Sequence, residues 1–348
     1  AAVYEPGIGW SKVISQGYSK LDPDVQNFSS DQPIVIIDTF GVDVGTKPDY
    51  TLVNAIIIPT DPLTGRACIT DVPQYAGLGG IRIRGYSTSK MPKKGYKFET
   101  WDENYEDRNF PLLGMPSDSD WAFHGPIFDK TLMRNVIAYK WSNEIGNYAP
   151  RTRYCEMFLN TNGGNVTIGD FDDVSPVSPY NYPGDYIGLY VIMEKIKRDE
   201  NRVDITKLEL EDNAEPEVTG GYVLQSDYNN VFCSSYACFE YIEPDQTQIT
   251  NSQRNWIQNY MNEFGNVLYG SNYTDPVNGY RQYIDVKSYI DYDIFQEMFK
   301  SCDAFAVSVH LHKDRLGKII MGPIWDYNMT LGLANFMNTW YTYGWQKD

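Results

Sequence analysis

Cysteine and histidine, the residues that most often hold transition metals, are scarce in this sequence. It has five cysteines and three histidines among 348 residues. No CxxC pair, no HExxH and no GxSxG occurs, and no glycine-rich loop follows the Walker pattern. These absences exclude the common signatures of zinc proteases, serine hydrolases and P-loop enzymes.

Long apolar runs and basic residues are also in short supply. No run of about 20 apolar residues exists, so we expect no transmembrane helix. Lys and Arg number 29 against 46 Asp and Glu, which gives a formal net charge of -17. Phosphate contacts need a basic surface, so we expect no nucleic-acid partner. Because 42% of the residues are hydrophobic, the chain can still bury a sizeable core.

The few cysteines differ in their surroundings. Cys233 and Cys238 bracket a short loop and could form one disulfide in an oxidising compartment. Cys68, Cys155 and Cys302 lie in apolar stretches, where we expect buried thiols. The sequence starts AAV without Met, as after signal-peptide cleavage, although a cloning boundary would look the same. We therefore expect a secreted or cell-surface protein.

Hydrophobic patterning divides the chain into a β-rich first part and a more helical second part. This order is typical of an α+β fold in two lobes, with a mainly helical C-terminal lobe. The predicted divisions are an arm (1–30), a β-rich lobe (31–193) with one helix (129–146) and an insertion (161–185), a hinge (194–199), and a helical lobe (200–348) with an acidic hairpin (303–328).

Apolar residues at helical spacing predict the helices. One is capped by Asp129 and ends at Gly146, a second follows Thr250 or Asn251, and a third runs from Asp285 to about Cys302. The expected apolar face of the first is Leu132, Met133, Val136, Ile137, Trp141 and Ile145. The expected buried stripe of the third is Tyr289, Ile290, Ile294, Met298 and Phe299.

The hairpin contains the most informative pair of residues. If Lys313 pairs with Lys318, Phe305 lies opposite Asp326, and the carboxylates of Asp303 and Asp326 meet at the open end. Two converging carboxylates repel each other unless a cation or a shared proton lies between them. Mg²⁺ uses one or two carboxylates plus phosphate oxygens, so a magnesium–phosphate site is one interpretation. Two solvated turn aspartates are the alternative.

Basic residues elsewhere in the chain could contact the phosphates at such a site. Arg84 and Lys97 lie on two alternating strands joined by a Ser- and Lys-containing loop, a hairpin that could cover a triphosphate. An ordinary hairpin with a solvated basic loop would have the same sequence. Arg134 is either a solvated helix charge or a clamp for a phosphate or carboxylate.

Five separated blocks carry a resemblance to a known family. They are residues 81–99 (IRIRGYSTSKMPKKGYKFE), 112–135 (LLGMPSDSDWAFHGPIFDKTLMRN), 188–205 (GLYVIMEKIKRDENRVDI), 220–227 (GGYVLQSD) and 303–332 (DAFAVSVHLHKDRLGKIIMGPIWDYNMTLG). Together, and in this order, they resemble the spore coat protein H (CotH) kinase family. The resemblance implies an atypical protein-kinase-like fold with two lobes. It also implies transfer of phosphate from ATP to Ser or Thr of secreted or surface proteins.

The acidic residues take roles from that resemblance. Asp303 is similar to the catalytic-loop aspartate, which orients or deprotonates the acceptor hydroxyl, and Asp326 to the aspartate that binds Mg²⁺. Asn328 stands where many members have a second aspartate. An amide oxygen can still ligate a cation, but it brings no charge.

The resemblance also implies a nucleotide site and leaves alternatives open. We expect ATP with Mg²⁺ or another divalent cation, a protein substrate and a monomeric enzyme. Transfer of another group from ATP, or a non-catalytic surface protein, would fit the same sequence. The residues expected to contact the nucleotide are Arg84, Lys97 and Arg134, with Met193, Glu194 and Ile196 at the start of the hinge.

Overall fold

The computed structural model of the chain describes residues 4–7, 9–10, 17–86, 88–169, 183–227, 230–303 and 305–346. The fold is α+β. The chain forms two compact units, Ala1–Ile127 with Arg151–Lys195 and Phe128–Pro150 with Ile196–Asp348. Most of the predicted insertion (161–185) falls on residues 170–182, which lie outside the described part of the chain.

The first unit is built on a closed β-barrel. Its strands follow the order β10-β11-β9-β8-β7-β5-β4, and β4 pairs in parallel with β10 to close it. The short strands β1 and β2 pair with each other, as do β3 and β6. The bounds are β1 Tyr4–Glu5, β2 Gly9–Trp10, β3 Ser29–Ser30, β4 Ile34–Asp38, β5 Thr51–Ile58, β6 Ala67–Cys68, β7 Tyr75–Arg84, β8 Gly95–Thr100, β9 Asp120–His124, β10 Thr152–Asn160 and β11 Tyr186–Glu194.

Alternation along the barrel strands separates a core face from an outer face. Ile81 pairs with Phe98, and both are fully buried in the main core cluster. Arg82 follows Ile81 and pairs with Lys97, which precedes Phe98. These two cations therefore lie on the opposite face of the same two strands. The β-rich pattern expected of the first part is confirmed, since residues 34–38, 51–58 and 95–100 form strands β4, β5 and β8.

The second unit combines helices with a sheet in the order β13-β14-β12-β15-β16. Its helices hold more residues than its strands, so the expectation of a mainly helical second part is met only in this coarse sense. Residues 238–243 form a strand because they pair with residues 232–233 and 223–225, which precede them in the chain. The bounds are α1 Arg134–Glu144, β12 Tyr222–Ser226, β13 Phe232–Cys233, β14 Cys238–Glu243, α2 Asn251–Leu268, α3 Val286–Phe299, β15 Val309–Lys313 and β16 Ile319–Met321.

Helix α1 differs from its prediction at its start. It begins at Arg134, five residues after the predicted cap, and is grouped with the second unit rather than with the β-rich segment. The Asp129 carboxylate accepts from the backbone N–H groups of Thr131 and Arg134, and Leu132 has a positive φ of 63°. Asp129 therefore closes a turn ahead of the helix instead of starting it. Gly146, with a φ of 87°, follows the helix end as predicted.

The helical faces also differ from expectation. In α1 the buried residues are Asn135, Ala138, Tyr139 and Ser142, whereas Met133, Trp141 and Ile145 are exposed. In α3 the aromatic side is buried through Tyr292, Phe295 and Phe299, and Ile290, Ile294 and Met298 are exposed. Helix α2 is confirmed, with a capping box between Thr250 and Gln253.

The cysteines follow their prediction in part. Cys233 and Cys238 form a disulfide, and Cys155 and Cys302 are buried thiols. Cys68 is exposed, so its predicted burial is wrong; it lies on the short strand β6, between the buried Ala67 and Ile69. No helix in the described ranges is long and apolar enough to cross a membrane.

Candidate functional site

The register of the acidic hairpin differs by one residue from its prediction. Lys313 pairs with Ile319 rather than with Lys318, and the pairing extends to Leu311 opposite Met321. The reason is that Lys313 is buried: its Nζ donates to the Thr219 carbonyl at 2.6 Å and to the Gly317 carbonyl at 2.7 Å. A shift of one residue reverses the face that each side chain occupies. The predicted pairing of Phe305 with Asp326 is therefore wrong.

Asp303 lies in the turn that leads into β15. Its backbone carbonyl accepts from Ala306 and Val307, each at 3.2 Å. Its half-buried carboxylate accepts a long hydrogen bond from the Cys302 thiol, with Sγ to Oδ1 at 3.6 Å. Burial raises the pKa of the Asp303 carboxyl, and repulsion from Asp227 raises it further, against the opposing effect of the thiol. A carboxylate with a raised pKa is a better proton acceptor than an ordinary one.

Asp326 lies just beyond β16 in an unusual backbone conformation. Its φ is 59°, which is uncommon for a residue other than glycine. Its carboxylate Oδ1 accepts from the Asn328 side chain, whose Nδ2 lies 2.6 Å away. The nitrogen side of the Asn328 amide therefore faces Asp326, and Oδ1 of Asn328 is the atom that could ligate a cation. The two predicted metal ligands are neighbours in space.

The charges of Asp303 and Asp326 both act on the Cys302 thiol. Burial raises the pKa of this thiol to about 12, and the negative charges of Asp303 and of Asp326 both add to the rise. Both carboxylates consequently lie within electrostatic range of one buried group. The two predicted residues belong to the same compact unit, and both of their charges act on this thiol. That they share one metal–nucleotide complex stays a prediction.

Arg134 is held by protein groups at the start of α1. Its guanidinium forms an ion pair with Asp129, and its Nε donates to the Thr330 carbonyl at 2.9 Å. Thr330 is fully buried and donates its hydroxyl to the carbonyl of Tyr327 at 2.7 Å. Arg134 thus fastens helix α1 to the segment that follows Asp326, and its predicted contact with a nucleotide stays a prediction.

Lys97 lies in an ionic cluster on the outer face of the barrel. Its Nζ is 2.8 Å from Glu99 and 3.1 Å from Asp120, and it lies 5.2 Å from the ring centre of Tyr50. Burial lowers the pKa of Lys97, but Asp120, Glu99 and Tyr50 outweigh that effect and raise it. Because Arg82 lies directly across the strand pair, these carboxylates also offset repulsion between two cations.

We expect Lys97→Ala to destabilise the protein by about 1–3 kcal/mol, because two partly buried carboxylates would lose their shared partner. Lys195→Ala is the matched control, since Lys195 also contacts Asp120 but at 3.7 Å and with a side chain 41% exposed. Its cost should stay below about 1 kcal/mol. Urea denaturation of both variants measures the difference. Equal effects would show that the cluster does not hold Lys97 as described.

Met193 and Glu194, two of the residues expected to contact the nucleotide, lie at the end of β11. Met193 is buried and pairs with Thr152 on one side and Ala122 on the other. The fully buried carboxylate of Glu194 accepts from Arg151 through the backbone N–H at 2.9 Å and through the guanidinium at 2.6 Å. The Glu194 side chain is therefore engaged in the first unit.

Ile196 and Arg84 complete the predicted set. Ile196 belongs to the second unit, where it packs in a buried cluster with Val203 and Val223. Arg84 is half-buried and pairs with Gly95, two residues beyond Arg82 on the same face of β7. Adenine or phosphate contacts at these positions stay predictions.

Sequence reasoning missed several residues that the structure places at these sites. Asp120 contacts Lys97, Asp227 repels Asp303, and the hydroxyl of Tyr139 accepts from the Asp326 backbone N–H at 3.1 Å. Asp120 and Asp227 lie within two of the five sequence blocks that resemble the family, and this position was the signal that could have identified them. Nothing in the sequence marks Tyr139. Among the described residues, no group of three or more His, Cys, Asp or Glu could hold a metal ion.

The fold and these contacts define an α+β protein in which Asp303 contacts a buried thiol and Asp326, beyond the end of the hairpin, contacts Asn328. The chain belongs to the CotH kinase protein family, whose model matches residues 81–347. The resemblance drawn from the five sequence blocks is thereby confirmed. A search of curated proteins finds no match to the chain. Membership in this family indicates a kinase-like function.

Proposed function

We propose that this protein is an ATP-dependent phosphotransferase that phosphorylates Ser or Thr of secreted or surface proteins. The observation that carries the proposal is that the negative charges of Asp303, which contacts the Cys302 thiol, and of Asp326 both act on this buried group, in a chain that belongs to a kinase family. We also propose that the two compact units correspond to the two lobes of an atypical kinase-like fold.

Asp303 is the group that would act on the acceptor. Phosphoryl transfer needs the attacking hydroxyl to be oriented and its proton to be accepted, and kinases use an aspartate for this purpose. The pKa of Asp303 is raised by burial and by Asp227, which favours proton acceptance. The Cys302 thiol, which donates to Oδ1, would fix the direction in which the carboxylate points.

Asp326 and Asn328 would hold the divalent cation. Mg²⁺ bound to a nucleotide takes most of its ligands from phosphate and water, and needs only one or two carboxylates from the protein. A single carboxylate beside an amide oxygen fits that requirement, although no larger ligand cluster occurs in the described part of the chain. When bound, the cation would neutralise charge that develops on the transferred phosphoryl group.

Two further features support parts of the proposal. The Cys233–Cys238 disulfide fits an oxidising compartment, as expected for a secreted or surface protein. Lys97 would be the basic residue that contacts the phosphates, because a cation held by Glu99 and Asp120 keeps its charge over a wide pH range. On this assignment, Lys97→Ala weakens nucleotide affinity, whereas Lys195→Ala does not.

Intact-mass spectrometry after incubation with ATP and Mg²⁺ tests the reaction class. A generic Ser- and Thr-containing acceptor, and the protein itself, should gain the mass of phosphoryl groups. The Asp303→Asn variant is the control and should gain this mass at least about 100-fold more slowly. A gain equal to a nucleoside monophosphate would show nucleotide transfer instead. With no adduct on any acceptor, while ATP still binds, the protein would be a nucleotide-binding pseudokinase.

A further inference from the structure

The backbone of Asp326 needs support from its surroundings. A residue with a side chain at a φ near 60° is strained, and such residues persist only where neighbouring groups hold them. The fixed conformation sets the direction of the Asp326 carboxylate. The groups that fix the backbone are therefore also groups that determine how well this carboxylate can meet a cation.

Helix α1 supplies that support through Tyr139. The Tyr139 hydroxyl oxygen accepts from the Asp326 backbone N–H at 3.1 Å, and its side chain is buried. Its ring also stacks on Trp325, the preceding residue, with the ring centres 6.1 Å apart and an angle of 16° between the planes. One side chain thus contacts the residue before Asp326 and the amide of Asp326 itself.

A second contact fixes the helix relative to the same segment. Arg134, one and a half turns before Tyr139, donates from Nε to the Thr330 carbonyl at 2.9 Å. Arg134 is itself held by Asp129, which is almost fully buried. Helix α1 is therefore attached to residues 325–330 at both ends of that segment, and Tyr139 provides the attachment next to the carboxylate.

We infer that Tyr139 is a positioning residue that holds Asp326 in its left-handed conformation and thereby sets the affinity of the site for Mg²⁺. The effect on Mg²⁺ affinity rests on the proposed function, whereas the contact between Tyr139 and the Asp326 backbone does not. Loss of the hydroxyl would leave the Asp326 N–H without this acceptor. The strained backbone would then populate other conformations, and the carboxylate would point elsewhere for part of the time.

The test compares Tyr139→Phe with Tyr222→Phe. Tyr222 is a matched control, since it is also fully buried and its hydroxyl also bonds to backbone groups, the carbonyls of Val218 at 2.9 Å and Gln253 at 3.2 Å. Each variant removes one buried hydroxyl, so their effects on stability should be similar. Only Tyr139→Phe should raise the Mg²⁺ concentration for half-maximal ATP binding, by about threefold to tenfold, the size expected for one hydrogen bond.

A second readout separates this inference from the proposed function. Hydrogen exchange of the Asp326 amide in the metal-free protein should accelerate in Tyr139→Phe by about threefold or more and stay unchanged in Tyr222→Phe. An Asp326 amide that exchanges at the wild-type rate in Tyr139→Phe overturns the inference, whatever the activity. Should wild-type protein bind no Mg²⁺-ATP, the proposed function fails, and the inferred role in metal affinity fails with it. The exchange rates then still decide whether Tyr139 holds the backbone.

Discussion

Asp326→Asn should weaken the binding of Mg²⁺-ATP by about 30-fold or more, because loss of one partner of a charge contact with a cation costs about 2 kcal/mol or more. The expected defect is confined to binding. The Asn oxygen can still accept from the Asn328 amide, as the Asp326 carboxylate does at 2.6 Å. Asn also tolerates a positive φ better than most residues, so the backbone at φ 59° should persist. Calorimetric titration of ATP in the presence of Mg²⁺ measures the change.

The stability of this variant distinguishes a ligand role from a structural one. In the absence of nucleotide, the free energy of unfolding should change by less than about 1 kcal/mol. Asp314→Asn is the control, since it makes the same chemical change in the turn of the same hairpin and should leave ATP affinity unchanged. A large loss of stability in Asp326→Asn, with ATP affinity retained, would identify Asp326 as a structural residue.

Asp303→Asn should lower the rate of phosphoryl transfer by about 100-fold to 10,000-fold, the usual contribution of a general base, while ATP still binds. The same variant should be more stable than the wild type at neutral pH. Burial and repulsion from Asp227 raise the pKa of the Asp303 carboxyl above its ordinary value of 3.8, so the folded protein disfavours its ionised form. Removing the charge removes that cost.

The pH dependence of this stability difference has a definite sign. A carboxyl with a raised folded-state pKa stabilises the native state most below pH 3.8, and the contribution is lost as the pH rises through the raised pKa. The advantage of Asp303→Asn should therefore be greatest at neutral pH and should shrink as the pH falls toward 3.8. Thermal melts without metal at several pH values measure it.

Asp314→Asn should behave in the opposite way. Burial raises the pKa of the Asp314 carboxyl, but hydrogen bonds from the backbone N–H groups of Thr206 and Arg315 outweigh burial and lower it. Asp314→Asn should accordingly cost stability at neutral pH, and this cost should also diminish in acid. If Asp303→Asn loses stability at neutral pH as Asp314→Asn does, Asp303 is held by favourable contacts and is not a strained catalytic group.

Local sequence signals were sufficient for the elements that depend on neighbouring residues. Apolar runs marked β4 and β5, an alternating run marked β8, and the capping pattern after Thr250 marked α2. Local sequence signals were insufficient where residues far apart in the sequence determine the structure. The register of the acidic hairpin depends on Lys313, whose ammonium group bonds to Thr219 and lies over the rings of Trp256 and Tyr260. None of these partners is local to the hairpin.

The same reasoning applies to the helices and to the site. The aliphatic stripe of Ile290, Ile294 and Met298 has ideal helical spacing but is exposed, because the aromatic side of α3 packs with Tyr327. Asp303 and Asp326 were first paired through a predicted register that was wrong, and the family resemblance then gave each of them a role. Tyr139 could not be identified at all, since its contact with Asp326 exists only once α1 has packed.

Thermal melts of the wild-type protein with Mg²⁺ and ATP, with each alone, and with ATP plus a chelator test the central claim most directly. A ligand that binds only the native state stabilises it by about 2.7 kcal/mol at 100 times its dissociation constant. We predict that Mg²⁺ and ATP together raise the melting temperature and that neither does so to the same extent alone. An unchanged melting temperature at millimolar concentrations of both would contradict the assignment of this protein as an ATP-dependent phosphotransferase.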